Sequence, residues 1–173
     1  MTSKVDIIER KYKDFKEIMD YLEKNKEISL KTIADNDLKK NLLLSAASYF
    51  EDLIKEIILN FVENNSNKQI IKSFVKNKAI DRQYYTYFDW EAKNANKFLS
   101  LFGEAFKKEA EIDIENNTDL KKSIKDFIEL GNLRNEMVHE NFTVFPLEKT
   151  AEEIYYLYRS AYQFINYLSL KLK

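Results

Sequence analysis

Apolar positions along this chain recur at helical rather than strand spacing. Ile8, Tyr12, Phe15, Met19 and Leu22 step by 4, 3, 4 and 3, one stripe of a helix predicted from residue 5 to about residue 26. A second pattern, from about residue 37 to 62, carries Leu42, Leu43, Ala46, Phe50, Leu53, Ile54, Ile57, Ile58 and Phe61. Its broad apolar face predicts burial between two neighbours. Asn64-Asn65-Ser66-Asn67 ends it, because short polar side chains compete for backbone hydrogen bonds. Ile70, Ile71, Phe74 and Val75 fit a short helix, followed by an irregular connector in which Tyr84, Tyr85, Tyr87 and Phe88 crowd together. Asp89 is placed to cap a helix from Trp90 to about Ala110, and polar residues 111–117 read as a loop. Thr118 is the predicted N-cap of a helix through Leu120, Ile124, Phe127, Ile128, Gly131, Leu133 and Val138 that ends near residues 139–142. Pro146 prevents that helix from continuing, and Thr150 with Glu153 forms a capping box that opens the last one. There Ile154, Leu157, Ala161, Phe164 and Leu168 step by 3, 4, 3 and 4. The expected fold is an all-α compact bundle of about five to six helices, a single domain over residues 1–173.

Composition narrows the class of function. Gly103 and Gly131 are the two glycines and Pro146 the one proline of 173 residues, too few for hairpin-rich or doubly wound folds. The two glycines lie far apart, so neither GxGxxG, a Walker A loop nor a GxSxG elbow can form. Without cysteine there is no disulfide frame, thiolate nucleophile, iron–sulfur cluster or Cys-containing zinc site. Charge is balanced, 28 Lys plus Arg against 29 Asp plus Glu, so the chain is not a polycation built to coat nucleic acid. No apolar leader opens the sequence and no apolar run approaches the ~20 residues of a membrane span. A soluble, cytoplasmic protein without membrane contact is expected. In that setting the Asn-x-Ser/Thr matches at Asn64, Asn116 and Asn141 carry no glycosylation meaning.

The scarcest reactive side chains fall together. His139 is the single histidine, and Arg134, one of four arginines, precedes it by five positions in Arg134-Asn135-Glu136-Met137-Val138-His139. On a helix Asn135 and His139 share a face, whereas Arg134 lies about 140° around the axis from His139 and reaches back on a long stem. The pair offers a permanent cation for bidentate phosphate binding beside a group that moves protons near neutral pH. Those parts suit attack of a ribose 2′-OH on the adjacent phosphodiester. His139 would take the hydroxyl proton or protonate the leaving 5′ oxygen, and Arg134 would stabilise the charge growing on the phosphoryl oxygens. Neither role calls for a metal or a cofactor. One imidazole per chain serves a reaction that uses both a base and an acid, so a two-fold homodimer joining both copies of His139 and Arg134 in one cleft is expected.

Each signal has a plainer alternative. Arg134 and His139 could simply be basic residues meeting the negative end of a helix. Glu136 with His139 matches half of a di-iron motif, but a full site needs two such motifs and the chain has one histidine. Tyr84, Tyr85, Tyr87 and Phe88 could stack single-stranded bases, although aromatic density of this kind more often packs a core. Tyr155, Tyr156, Tyr158, Tyr162 and Tyr167 of the last helix suit a dimer interface or the core equally. Lys107-Lys108 and Lys121-Lys122 read as solvated faces.

The helical bundle with Arg-Asn-x-x-x-His late in its penultimate long helix resembles the HEPN superfamily (higher eukaryote and prokaryote nucleotide-binding domains), whose signature is Arg, four to six residues, then His. Leu43-Leu-Ser-Ala-Ala-Ser-Tyr-Phe-Glu-Asp-Leu-Ile54 likewise resembles the second helix of stand-alone bacterial HEPN nucleases of the RiboL-PSP and MAE type. The resemblance covers roughly residues 38–170. It implies a metal-independent endoribonuclease acting on RNA as a dimer and leaving a 2′,3′-cyclic phosphate, often a toxin or an abortive-infection effector against phage that a partner antitoxin restrains. It also implies Arg134 and His139 as the catalytic pair, Asn135 as the polar residue that commonly follows the arginine, and Glu51 or Asp52 as an acidic partner from the second helix. A non-catalytic HEPN module that binds RNA or a protein is the alternative. HEPN toxins controlled by a nucleotidyltransferase carry a tyrosine two residues after the histidine, and position 141 here is Asn.

Overall fold

The computed structural model describes residues 7–173; Val5 and Asp6, where the periodicity starts the first helix, lie outside the described residues. The helices are α1 (Ile7–Lys24), α2 (Ile28–Asn65), α3 (Gln69–Val75), which continues into a π-helical turn at Lys76–Ile80, α4 (Tyr84–Tyr87), α5 (Asn96–Ser100), α6 (Glu104–Glu115), α7 (Thr118–His139) and α8 (Ala151–Lys171). The fold is all-α, with no strand among the described residues.

Four long helices make the bundle. α2 packs against α1, α7 and α8, while α7 lies along α8 and α1 also touches α8. The broad face of α2 is thus buried on several sides, as its pattern predicts. At the centre the Phe50 ring lies 5.6 Å from Phe127 and 5.1 Å from Tyr158, and Phe127 lies 5.2 Å from Phe164. Leu43, Ile54, Ile154, Ala161 and Leu168 close around them, fully buried. Most of the last-helix tyrosines pack within the chain. Tyr155 stacks on Tyr12 at 4.2 Å, Tyr158 is core, and the Tyr167 hydroxyl donates to Asp113 at 2.9 Å. Tyr156 stays exposed.

The structure corrects the element boundaries in four places. α2 begins at Ile28 rather than near residue 37, directly after Lys26 turns the chain at φ 59°. Ile28, Leu30 and Ile33 on that extension are exposed, so no buried stripe marks it in the sequence. The helix expected over 90–110 is broken. Asp89 Oδ1 does accept from the Glu91 and Ala92 amides at 3.2 and 3.3 Å, but it closes a bend, and Gly103 at φ 95° then separates α5 from α6. That backbone conformation is open essentially to glycine alone. α6 in turn runs through most of the segment expected as a loop, because its Glu, Asp and Ile residues sustain a helix that lays Ala110 into the core. The cap of α7 is Asn117, one residue earlier than expected, its Oδ1 accepting from the Leu120 amide at 2.9 Å. The capping box of α8 forms as predicted, with Glu153 N donating to Thr150 Oγ1 at 3.2 Å and Thr150 N to Glu153 Oε2 at 2.8 Å. No helix among the described residues is long and apolar enough to cross a membrane.

Candidate functional site

α7 carries Arg134, Asn135 and His139 to one end of the bundle. Its N-terminal half is anchored by buried Leu120, Ile124, Phe127, Ile128 and Leu130. Its last turn emerges from the core, with Met137 buried and Val138 and His139 exposed. His139 is the final helical residue; the Glu140 amide still donates to the Glu136 carbonyl at 2.9 Å, but Glu140 itself is extended and the chain departs. A tight turn follows. The Asn141 carbonyl accepts from the Val144 and Phe145 amides at 3.0 and 2.9 Å, and Asn141 Oδ1 accepts from the Thr143 amide at 3.1 Å.

Lys40 of α2 holds that turn in place. Its side chain is 1 % exposed, and Nζ donates to the carbonyls of Phe142 at 2.9 Å and Thr143 at 3.2 Å while lying 5.6 Å from the Phe142 ring centroid. A buried ammonium requires such partners to offset its lost hydration. The result ties the segment after His139 to the central helix of the bundle.

Arg134 is held differently. Its guanidinium carbon sits 4.5 Å from the centroid of the Tyr85 ring, and Nη1 donates to Asn135 Oδ1 at 3.2 Å. Among the described residues it makes no ion pair. A planar guanidinium on an aromatic face is a favourable contact that leaves most of its donors open. The Tyr85 hydroxyl donates to Glu51 Oε2 at 3.3 Å, and Glu51 Oε1 receives Lys55 Nζ at 2.5 Å. Of the two acidic candidates on α2, Glu51 and Asp52, the structure therefore connects Glu51 to Arg134 through Tyr85. Asp52 is exposed and stands apart from this network.

The connector of residues 84–95 places Tyr85. Tyr84, Tyr87 and Phe88 turn into the core, as the aromatic density predicts, and Tyr85 alone of the four stays outside at 39 % exposure. The Tyr85 carbonyl accepts from Trp90 Nε1 at 3.0 Å, and the indole fits against Gly131, where any side chain would meet it. Burial holds the Tyr84 phenol far above its ordinary range, and the negative charge of Glu51 adds to the effect while Arg134 opposes it. Burial also pushes the Tyr85 phenol up, Arg134 opposing and Glu51 assisting. Both remain neutral hydroxyls at physiological pH.

The remaining sequence candidates are peripheral. Glu136 is exposed and accepts from Asn132 Nδ2 at 2.8 Å, and no cluster of three metal-ligating side chains occurs among the described residues. The His139 side chain makes no hydrogen bond among them either, so its ring is free to meet a ligand. Sequence reasoning missed Tyr85 as a neighbour of Arg134, and it missed Lys40 and the seat of Trp90. A glycine in mid-helix does signal a close approach; a buried lysine gives no signal at all.

A family model described as RiboL-PSP-HEPN matches residues 9–173. The chain belongs to that HEPN family. Neither the curated proteins nor the solved structures yield a match to it. HEPN domains are often ribonucleases that bind RNA and dimerise, so membership gives this HEPN chain an RNA-related class of function. The family match and the fold together cover both helices that form the site, α2 and α7.

Proposed function

We propose that this HEPN chain is a metal-independent endoribonuclease that works as a single domain and a homodimer in the cytoplasm, as a toxin or antiphage effector held in check by a partner protein. The observation that carries the reading is the state of Arg134: a guanidinium stacked on Tyr85 and, among the described residues, paired with no carboxylate, on the same helix end as an exposed His139. Arg134 binds the scissile phosphate through its open N–H edge. His139 removes the proton from the ribose 2′-OH, whose oxygen attacks the adjacent phosphorus. The P–O5′ bond breaks, the 5′ oxygen takes a proton, and a 2′,3′-cyclic phosphate remains. The second proton transfer falls to His139 of the other subunit. Asn135, whose side-chain oxygen accepts from Arg134 Nη1, orients the guanidinium. Glu51 takes the place of the acidic partner rather than Asp52.

The surface around His139 supports the dimer. Val138 is 46 % exposed, Phe142 37 % and Val144 72 %, so exposed apolar side chains flank the histidine along the chain, a surface that an isologous contact would cover. Residues 9–173 answer to one family model and one buried core runs from α1 to α8, which supports the single domain.

The test is a gel assay of total RNA and tRNA in excess EDTA. Wild type is expected to cut and leave cyclic phosphate ends, and His139→Ala and Arg134→Ala to lose at least about a hundredfold in rate, the scale of a lost acid–base group. Equal cutting by all three removes the site assignment. RNA binding without cutting by all three makes the chain a binding module instead.

A further inference from the structure

A clamp for phosphate needs an anchor that leaves its donors free. A guanidinium paired with a carboxylate has its fork already filled, whereas one laid on an aromatic ring keeps its N–H edge open. Arg134 is anchored in the second way, 4.5 Å above Tyr85, with one hydrogen bond spent on Asn135. The carboxylate in this neighbourhood is Glu51, and it is occupied twice, by Lys55 at 2.5 Å and by the Tyr85 hydroxyl at 3.3 Å.

Tyr85 is itself fixed from three sides. Its hydroxyl is on Glu51, its ring meets Tyr84 edge-on at 5.6 Å, and its carbonyl receives the Trp90 indole N–H at 3.0 Å. Trp90 rests against Gly131, three residues before Arg134 on α7. The ring that holds Arg134 is thereby aligned to the same helix that carries Arg134. Yet Tyr85 is more exposed than its aromatic neighbours Tyr84, Tyr87 and Phe88, so burial of its own surface is not the main reason for this bracing.

We infer that Tyr85 is a positioning residue of the site: its ring holds the Arg134 guanidinium with the phosphate-binding edge outward, while Lys55 keeps Glu51 engaged elsewhere. The inference rests on the phosphate role proposed for Arg134. It assigns Tyr85 no contact with the scissile bond, so removal of its ring weakens RNA binding only by way of Arg134.

A double-mutant cycle reads this directly. The probe is a single-stranded RNA oligonucleotide methylated on every 2′ oxygen, which cannot be cleaved, followed by fluorescence anisotropy. Tyr85→Leu is expected to weaken binding roughly tenfold, within the range of a cation–π contact, and Tyr85→Phe to keep most of the affinity. Tyr85→Leu added to Arg134→Ala is expected to cost nothing beyond Arg134→Ala alone. With four arginines in the chain, a nitrogen-15 spectrum of arginine side chains isolates Arg134, whose Nε–H signal carries the ring-current shift of Tyr85 and loses it in Tyr85→Leu. Tyr85→Gln serves as the second truncation if the leucine variant does not fold.

Wild-type affinity in Tyr85→Leu, with Arg134→Ala weakened, overturns the inference and leaves the phosphate clamp standing. An equal loss from Tyr85→Leu with and without Arg134 also overturns it, since Tyr85 would then touch the RNA itself. Undiminished binding by Arg134→Ala overturns the clamp and the inference with it.

Discussion

A methyl group at residue 131 has no room. A Cβ there would overlap Trp90 Cζ3 and Cε3, and the indole that would have to shift is packed against Phe88 at 5.1 Å, Tyr84 at 5.6 Å and Phe127 at 6.1 Å. Gly131→Ala is expected to lose about 1–3 kcal/mol through overpacking. Trp90 is the one tryptophan, so its emission should shift as the urea midpoint falls; an unchanged spectrum and midpoint would mean that α7 and the connector separate easily. The displaced indole also releases the Tyr85 carbonyl, so Arg134 should feel the change. At this scale the sequence was informative where residues are scarce. Arg134 and His139 stand out because the chain holds four arginines and one histidine. Glu51 and Asp52 are adjacent and chemically alike, so only packing could separate them, and Tyr85 is one aromatic among several until Tyr84, Tyr87 and Phe88 turn inward.

Between elements, the decisive contact at the site is the one from α2 to the segment after α7. Lys40 reaches the Phe142 and Thr143 carbonyls from a fully buried position, which fixes where α7 ends and where His139 points away from the bundle. Lys40→Met keeps the aliphatic stem and removes both donors. Phe142 and Thr143 are exposed, so water can replace part of the loss, and about 1–2 kcal/mol is expected. Amide exchange should quicken at Val144 and Phe145, whose donors close the turn, while the amides of α8 stay protected. Uniform quickening through the whole chain would assign Lys40 to the core rather than to the turn. The sequence pattern had no access to this contact, since lysine is almost always read as solvated. The same limit explains the misread middle of the chain: α1, α7 and α8 each bury one clean stripe and were legible, whereas residues 90–115 break their periodicity at Gly103, whose φ of 95° no apolar pattern encodes.

Across the whole molecule, the last helix is tied to α6 by a carboxylate whose charge has a visible cost of removal. Asp113 Oδ2 accepts from Lys171 Nζ and from the Tyr167 hydroxyl, each at 2.9 Å. The Lys171 hydrogen bond, then that of Tyr167, holds the Asp113 carboxyl below its ordinary value of 3.8. A carboxyl lowered in the folded state adds stability above its unfolded pKa, and that stability is lost as pH falls through the folded one. Asp113→Asn should therefore melt a few degrees below wild type at pH 7, with the gap closing as the pH drops below about 4. The Asp113 side chain is 42 % exposed, so added salt should narrow the gap at neutral pH as well. Glu9, lowered first by its hydrogen bond to Lys13, and Glu153, lowered by its bonds to Thr150, titrate in the same direction. Some acid-side loss must then persist in the variant, and wild type and variant should converge on one melting temperature rather than cross. A gap that stays constant from pH 7 to pH 3 would show that α6 and α8 are joined there by packing alone, with the charge on Asp113 contributing nothing.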